Sequence, residues 1–166
     1  MERSFQSRVS SVDLDELSSG ELTAITRQAG KECELRLRQI AHASDPFDAA
    51  LQDLLGAMAN EAQQQIQALP EAEARRPFGS SRRMTADGVR EFIRTSIPSL
   101  TKGFGEGSLH RDIALFYAES LEEEASRFYR MLAEHSRETN SRGLFSDLSE
   151  RERGKLRFLR EVVLQS

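Results

Sequence analysis

Residues 119–134 read ESLEEEASRFYRMLAE, and the apolar side chains in this stretch recur every three or four positions. That spacing places them along one face of an α-helix. Continued in both directions, the pattern predicts a helix over 108–137, with Ser108 as its N-terminal cap. Glu122 lies among alanines and a tyrosine on the same face. The predicted inner face consists of Ile113, Tyr117, Leu121, Ala125, Phe128 and Leu132.

The segment GLFSDLSERERGKLRFL, residues 143–159, predicts a second helix with an acid on its inner face, over 142–164. Glu152 falls between Leu148 and Leu159 on one stripe. Lys155 lies three residues after Glu152 and shares its face, where a histidine would complete a Glu-x-x-His metal pair. Because the loop at 138–142 is short, the two helices are expected to be antiparallel neighbours.

The first half of the chain predicts another helical hairpin, over 19–43 and 46–69. SSGE at 18–21 has the pattern of a capping box. Asp45 is the expected cap of the second helix, with Pro46 at its first position. The predicted inner faces consist of Leu22, Ile25, Ala29, Cys33, Leu37 and Ile40 on the first helix, and of Phe47, Leu51, Leu54, Met58, Glu61 and Leu69 on the second.

The two hairpins are separated by a long crossover. Its first part, 70–84, contains Arg75, Arg76, Arg82 and Arg83, which we interpret either as a solvated connection or as an anion-binding patch. A short helix is predicted at 86–96. Two antiparallel helical hairpins joined by a long crossover form the ferritin-like arrangement of a four-helix bundle. We therefore predict an all-α fold with a single domain over 1–166.

Composition narrows the function classes. Hydrophobic residues make up 38% of the 166 residues and charged residues 30%, which is typical of a globular helical chain. A formal charge of −4 gives no case for a nucleic-acid or membrane partner. Cys33 is the single cysteine, which excludes an internal disulfide. Residues 1–17 have no apolar signal core, so a cytoplasmic location is expected.

The pattern Glu-x-Glu-Ala-x-x-Phe-Tyr within 119–134 resembles the third helix of rubrerythrin-type ferritin-like proteins. Residues 143–159 are similar to the fourth helix of that family, and 20–69 show a fainter likeness to its first hairpin. The resemblance implies two iron or related ions, held by a Glu from each of two helices and a Glu-x-x-His pair from each of the other two. It also implies peroxide reduction or ferrous-iron oxidation, often by a dimer.

Carried over residue by residue, the resemblance gives a degenerate set of metal ligands. Glu122 stands at the ligand position of the third helix. Glu152 matches the fourth-helix Glu, but Lys155 replaces the histidine. Glu61 matches the second-helix Glu, and Gln64 replaces the other histidine. A glutamine carbonyl is a weak ligand for iron, and an ammonium is none until it is deprotonated.

The first helix has no acid at the ligand position, which falls on Gly30. Glu32 is the nearest carboxylate and is rotated by about half a turn from it. Two functional hypotheses stay open. The chain is either a rubrerythrin-like protein with an altered iron, manganese or zinc site that serves peroxide or oxygen redox chemistry or iron handling, or a non-catalytic dimer or adaptor without a cofactor.

In the second hypothesis Lys155 and Gln64 take the place of the metal site. Both hypotheses include a homodimer, because many apolar residues lie off the predicted inner faces and one bundle seam is too narrow to bury them. The residues behind this expectation are Leu35, Leu115, Phe116 and Val163.

Overall fold

The chain is all-helical in the computed structural model, which describes residues 14–69 and 85–165. The arginine-rich segment 70–84 lies outside the described residues. Within them there are five α-helices, two short 3-10 helices at Leu14–Glu16 and Pro98–Leu100, and no strand. The helices are α1 (Ser19–Ala43), α2 (Ala49–Gln67), α3 (Ala86–Ser96), α4 (Arg111–His135) and α5 (Thr139–Gln165).

Two pairs of consecutive helices form a bundle around one core. α1 packs along α2, and α4 packs along α5. The pairs meet where α1 contacts α4, and α3 packs on α1. The Leu109 N–H donates to the carbonyl of Ala43 at 2.8 Å, which ties the end of α1 to the start of α4. α1 and α4 therefore run in opposite directions at this contact.

Local sequence signals fix the first helix as expected. The Ser18 hydroxyl accepts from the Glu21 N–H at 3.2 Å, and the Glu21 carboxylate accepts from the Ser18 N–H at 3.4 Å. This reciprocal capping box confirms the predicted start of α1. All six apolar residues predicted for its inner face are buried, including Cys33. The bounds of α3 also agree with the prediction.

The predicted start of the second helix was wrong by three residues. Asp48, not Asp45, caps α2, and its side chain accepts from the Leu51 N–H at 3.1 Å. Asp45 instead accepts from the Phe47 N–H at 2.9 Å in the turn that precedes the helix. Pro46 is therefore not the first helical residue. Phe47 is 92% exposed, which contradicts its predicted place on the inner face.

The starts of the last two long helices also differ from the prediction. α4 begins at Arg111 with His110 at its cap position, so Ser108 does not cap it. Gly107 precedes it with a φ of 85°, a left-handed backbone that ends the loop before the helix can begin. Ile113 in its first turn is 45% exposed rather than buried. α5 begins at Thr139, three residues earlier than predicted.

Some of the apolar side chains that lie off the predicted inner faces are buried within the chain itself. Leu115 is fully buried, so its predicted place in a dimer contact was wrong. The side chain of Val163 lies outside the described residues. Among the side chains that the structure describes, five large apolar ones remain exposed, namely Leu35, Phe47, Ile113, Phe116 and Phe158. No helix in the described ranges 14–69 and 85–165 is both long and apolar enough to cross a membrane.

Candidate functional site

A buried ion pair lies in the middle of α5. The Lys155 ammonium donates to a Glu152 carboxylate oxygen at 3.1 Å, and the two side chains are only 6% and 7% exposed. Their separation of three residues puts both on the inner face of the helix. Burial raises the pKa of Glu152 above its ordinary value, and the Lys155 ammonium opposes that rise. Lys155 therefore supplies the positive charge that a desolvated carboxylate requires.

A second buried carboxylate, Glu122, lies at about the same level on α4. The register is set by Ser126 and Ser149, because each hydroxyl donates to the other residue's carbonyl, at 3.2 and 3.0 Å. Glu122 is one turn before Ser126 and Glu152 is three residues after Ser149, so in antiparallel helices the two acids fall level. Glu122 is 2% exposed. Its Oε2 has no hydrogen-bond partner among the described residues.

The acid predicted on α2 does not share this interior. Glu61 is exposed, so its predicted place on an inner face was wrong. It remains close enough for its charge to raise the pKa of Glu152. Gln64, which stands at the position of the second-helix histidine in the family resemblance, is also exposed. α2 therefore directs neither of its two expected ligands into the core.

The corresponding position on α1 is closed by packing. Gly30 is buried, and a Cβ built on it would lie 2.8 Å from Ile66 Cγ1 of α2. That distance is too short for two carbon atoms, so no side chain fits there unless Ile66 moves. Glu32 is engaged elsewhere, with its Oε1 3.4 Å from Arg94 Nε on α3. Its Oε2 is buried without a hydrogen-bond partner among the described residues.

Two further titratable side chains are buried, Cys33 near the ion pair and Tyr129 near Cys33. Burial raises the pKa of the Cys33 thiol far above its ordinary value, and the charge of Glu152 raises it further. The positive charge of Lys155 acts in the opposite direction. Burial likewise raises the pKa of Tyr129. Cys33 is therefore a neutral thiol at physiological pH and part of the core, as the sequence predicted.

The space between α2 and α5 contains a cavity of about 320 Å³ that the sequence analysis missed. Small residues contribute to the space, with Ala57 on α2 and Gly154 on α5. These small residues are the sequence feature that could have indicated the cavity. Only the structure, however, shows that their two helices border the same gap. The cavity is lined by Leu54, Ala57, Met58, Glu61, Arg151, Gly154, Lys155 and Phe158.

The donors present do not fit the two-metal centre that the family resemblance implies. Among the described residues, no group of three or more histidine, cysteine, aspartate or glutamate side chains is placed to hold a metal ion. Gly30 has no room for a ligand, and Gln64 is exposed. The Lys155 ammonium stands against Glu152 and has no lone pair to offer. No reaction step through such a centre follows from this site.

Comparison with known proteins supports the fold and goes no further. No protein-family model matches the chain, and no curated protein matches it. The chain is similar to the solved structure of a hypothetical protein from Pyrococcus furiosus, with 19% identity and a TM-score of 0.52. The similarity covers 90% of this chain and 92% of the other. At this level of identity it establishes a shared helical fold alone.

Proposed function

We propose that the chain is a metal-independent relative of the rubrerythrin-type ferritin-like proteins, and that it serves as a non-catalytic binding or adaptor module. Two helical pairs joined by a crossover with a short helix support the ferritin-like arrangement. The sequence likeness over 119–134 and 143–159 supports the relationship. In this proposal the chain differs from an active family member at the centre of the bundle, where the metal ligands would be.

The ion pair between Lys155 and Glu152 is the observation that carries this proposal. Lys155 stands where the resemblance requires a histidine, and its ammonium is bonded to the carboxylate that would be a ligand. A divalent cation at Glu152 would lie beside a buried positive charge, and their repulsion is poorly screened in the core. Binding there would require Lys155 to lose its proton or to leave the core.

The closed position at Gly30 supports the proposal independently. In this chain no acid stands at the α1 ligand position, and restoring one by a single substitution would force the Ile66 side chain to move. One ligand position, at Gly30, is thus closed by the Ile66 side chain, and at another a buried ammonium, that of Lys155, repels cations. A redox centre with two metal ions needs both positions.

A second candidate, an altered site for one cation, is favoured by a different observation. Glu122 Oε2 is buried without a hydrogen-bond partner among the described residues, and leaving a buried carboxylate oxygen unpaired is costly. One Fe²⁺, Mn²⁺ or Zn²⁺ ion between Glu122 and Glu152 would satisfy that oxygen if Lys155 turned along its stem away from Glu152 and toward solvent. Peroxide or oxygen chemistry and iron handling belong to this second candidate.

Metal loading separates the two candidates. Protein incubated anaerobically with Fe²⁺, Mn²⁺ or Zn²⁺ and then desalted is analysed for metal per chain, and the iron-treated sample is assayed for peroxide reduction. We expect metal well below one ion per chain and no activity above that of free iron. One stoichiometric ion per chain would establish the single-cation site instead. Two ions per chain with peroxide turnover would restore the di-iron interpretation.

Association as a homodimer is part of the same proposal, together with a cytoplasmic location. Leu35, Ile113 and Phe116 are 57%, 45% and 56% exposed. Exposed apolar side chains of this size are common at protein interfaces. Light scattering at micromolar concentration should give twice the 18.7 kDa mass of the chain. A monomeric mass that persists at higher concentration would contradict the dimer and leave the metal-independence proposal unaffected.

A further inference from the structure

The cavity between α2 and α5 has the size and lining of a small-molecule site. Its volume of about 320 Å³ lies at the lower end of the range of about 300–1,000 Å³ that is typical of ligand pockets. Apolar groups from both helices line it, with Leu54 and Met58 on α2 and Phe158 on α5. Phe158 is 54% exposed. An apolar molecule in the cavity would remove the remaining apolar surface of this lining from water and be stabilised by the hydrophobic effect.

The charges around the cavity balance. Glu61 and Arg151 are exposed residues of opposite sign, and Lys155 is paired with Glu152. An ion therefore gains little net attraction when it enters. A carboxylate ligand would also bring another negative charge close to the buried Glu152. The lining thus favours an uncharged ligand.

Lys155 provides the specific polar contact. An ammonium carries three N–H donors, and among the described residues one acceptor is in place, the Oε1 of Glu152. Lys155 is also one of the residues that line the cavity. A donor left unpaired in a buried site is unfavourable, so a ligand that carries an acceptor gains by pairing with it. A carbonyl oxygen is an acceptor of this kind on an uncharged molecule.

We propose that this cavity binds an uncharged, largely apolar small molecule whose single carbonyl-type acceptor takes a hydrogen bond from Lys155. The apolar body lies against Leu54, Met58 and Phe158. This inference goes beyond the proposed function. It needs Lys155 as a donor at the cavity, and it does not depend on the oligomeric state of the chain.

The probe for the test is 6-propionyl-2-dimethylaminonaphthalene, an uncharged fluorescent ketone whose emission moves to shorter wavelength when it leaves water. We expect saturable binding of one probe per chain to the full-length protein, with a blue-shifted emission. Ala57→Phe fills the cavity from an exposed position on α2 and should weaken binding by about tenfold or more. Ala50→Phe is the matched control, because Ala50 is exposed on the same helix and does not line the cavity.

A second probe pair tests the acceptor. The 6-propyl analogue replaces the carbonyl by a methylene and keeps the rest of the molecule. We expect the ketone to bind about tenfold more tightly to the parent protein, although it is the less apolar of the two. The inference is overturned if the parent shows no saturable binding, if Ala57→Phe binds like Ala50→Phe, or if the propyl analogue binds as tightly as the ketone. Tighter binding of the anionic 6-dimethylamino-2-naphthoate would also overturn it.

Discussion

Replacing Lys155 by methionine removes the buried positive charge and keeps most of the side-chain volume. At the observed separation of 3.1 Å, and with an effective dielectric constant of about 20, the attraction between the two charges is about 5 kcal/mol. Burial of the ammonium offsets part of it in the parent protein. Loss of one partner of a buried pair typically costs about 3–5 kcal/mol, and we expect that loss in the free energy of unfolding at pH 7.

The loss should depend on pH, because the stranded carboxyl can take up a proton. Burial raises the pKa of Glu152, and in the variant no ammonium opposes the rise. The unfolded chain releases this proton near the ordinary glutamate pKa of about 4.3, whereas the folded chain retains it to higher pH. Folding then binds a proton, so stability falls as pH rises through the raised pKa. The variant should be closer to the parent at pH 5 than at pH 8.

Urea unfolding followed by circular dichroism measures this loss. Lys31→Met is the matched control, because Lys31 is exposed on α1, and it should change stability by no more than about 0.5 kcal/mol. The double variant Lys155→Met/Glu152→Gln removes both charges and should regain most of the loss. Mn²⁺ should partly restore Lys155→Met alone. If Lys155→Met is as stable as Lys31→Met at pH 8, Lys155 is not the counter-charge of the buried acids.

Three further predictions concern the surroundings of the ion pair. Gly30→Ala should destabilise the protein by about 1–3 kcal/mol, because the added Cβ overlaps Ile66. The control Gly56→Ala, whose Cβ meets nothing within 4 Å, should stabilise it by about 0.5–1 kcal/mol. Urea unfolding should therefore give changes of opposite sign in the free energy of unfolding, and changes of the same sign would refute the packing argument. The Cys33 thiol is buried, and burial raises its pKa, so it should resist an aromatic disulfide reagent in the native protein and react at once in denaturant. Rapid reaction of the native protein would contradict the burial of Cys33. Arg36 donates to the Lys102 carbonyl, and its guanidinium lies 4.0 Å from the Phe104 ring centroid. Arg36→Met should therefore lower the free energy of unfolding by about 2 kcal/mol and speed amide hydrogen exchange in residues 101–108. Unchanged exchange there would show that Arg36 does not hold this loop.

The sequence predicted much of the fold because long helices repeat their apolar pattern many times. Leu22, Ile25 and Leu37 mark the inner face of α1 over several turns, and a capping box marks its start. The start of α2 was missed because Asp45 and Asp48 are both good caps. Which aspartate begins the helix depends on the turn that the chain makes between α1 and α2, and local composition does not reveal that turn.

The candidate site was predicted in part for a related reason. Glu122 and Glu152 were predicted correctly to lie in the interior. Glu152 falls between Leu148 and Leu159 on its own helix, and Glu122 falls on the long inner face of α4, which repeats over several turns. Glu61 was misplaced because the buried face of α2 includes Ala59 and Ala62, and alanines contribute little to a hydrophobic pattern. The predicted inner face, which followed Leu54 and Met58, was therefore rotated slightly about the helix axis from the face that is buried.

Other features of the site arise only from tertiary packing. The closure of the Gly30 position by Ile66 depends on how closely α1 and α2 approach, and neither helix encodes that distance alone. The cavity beside Lys155 depends on the gap between α2 and α5, which are far apart in sequence. The partner of Lys155 was foreseeable from its spacing to Glu152, whereas the burial of both charges required the complete bundle.

Metal independence can be tested in a crystal structure of the protein grown with excess Mn²⁺, with diffraction recorded on both sides of the manganese absorption edge. We predict no anomalous density between Glu122 and Glu152, with the Lys155 ammonium within hydrogen-bond distance of Glu152. An anomalous peak at coordination distance from both carboxylates, with Lys155 turned toward solvent, would contradict this prediction.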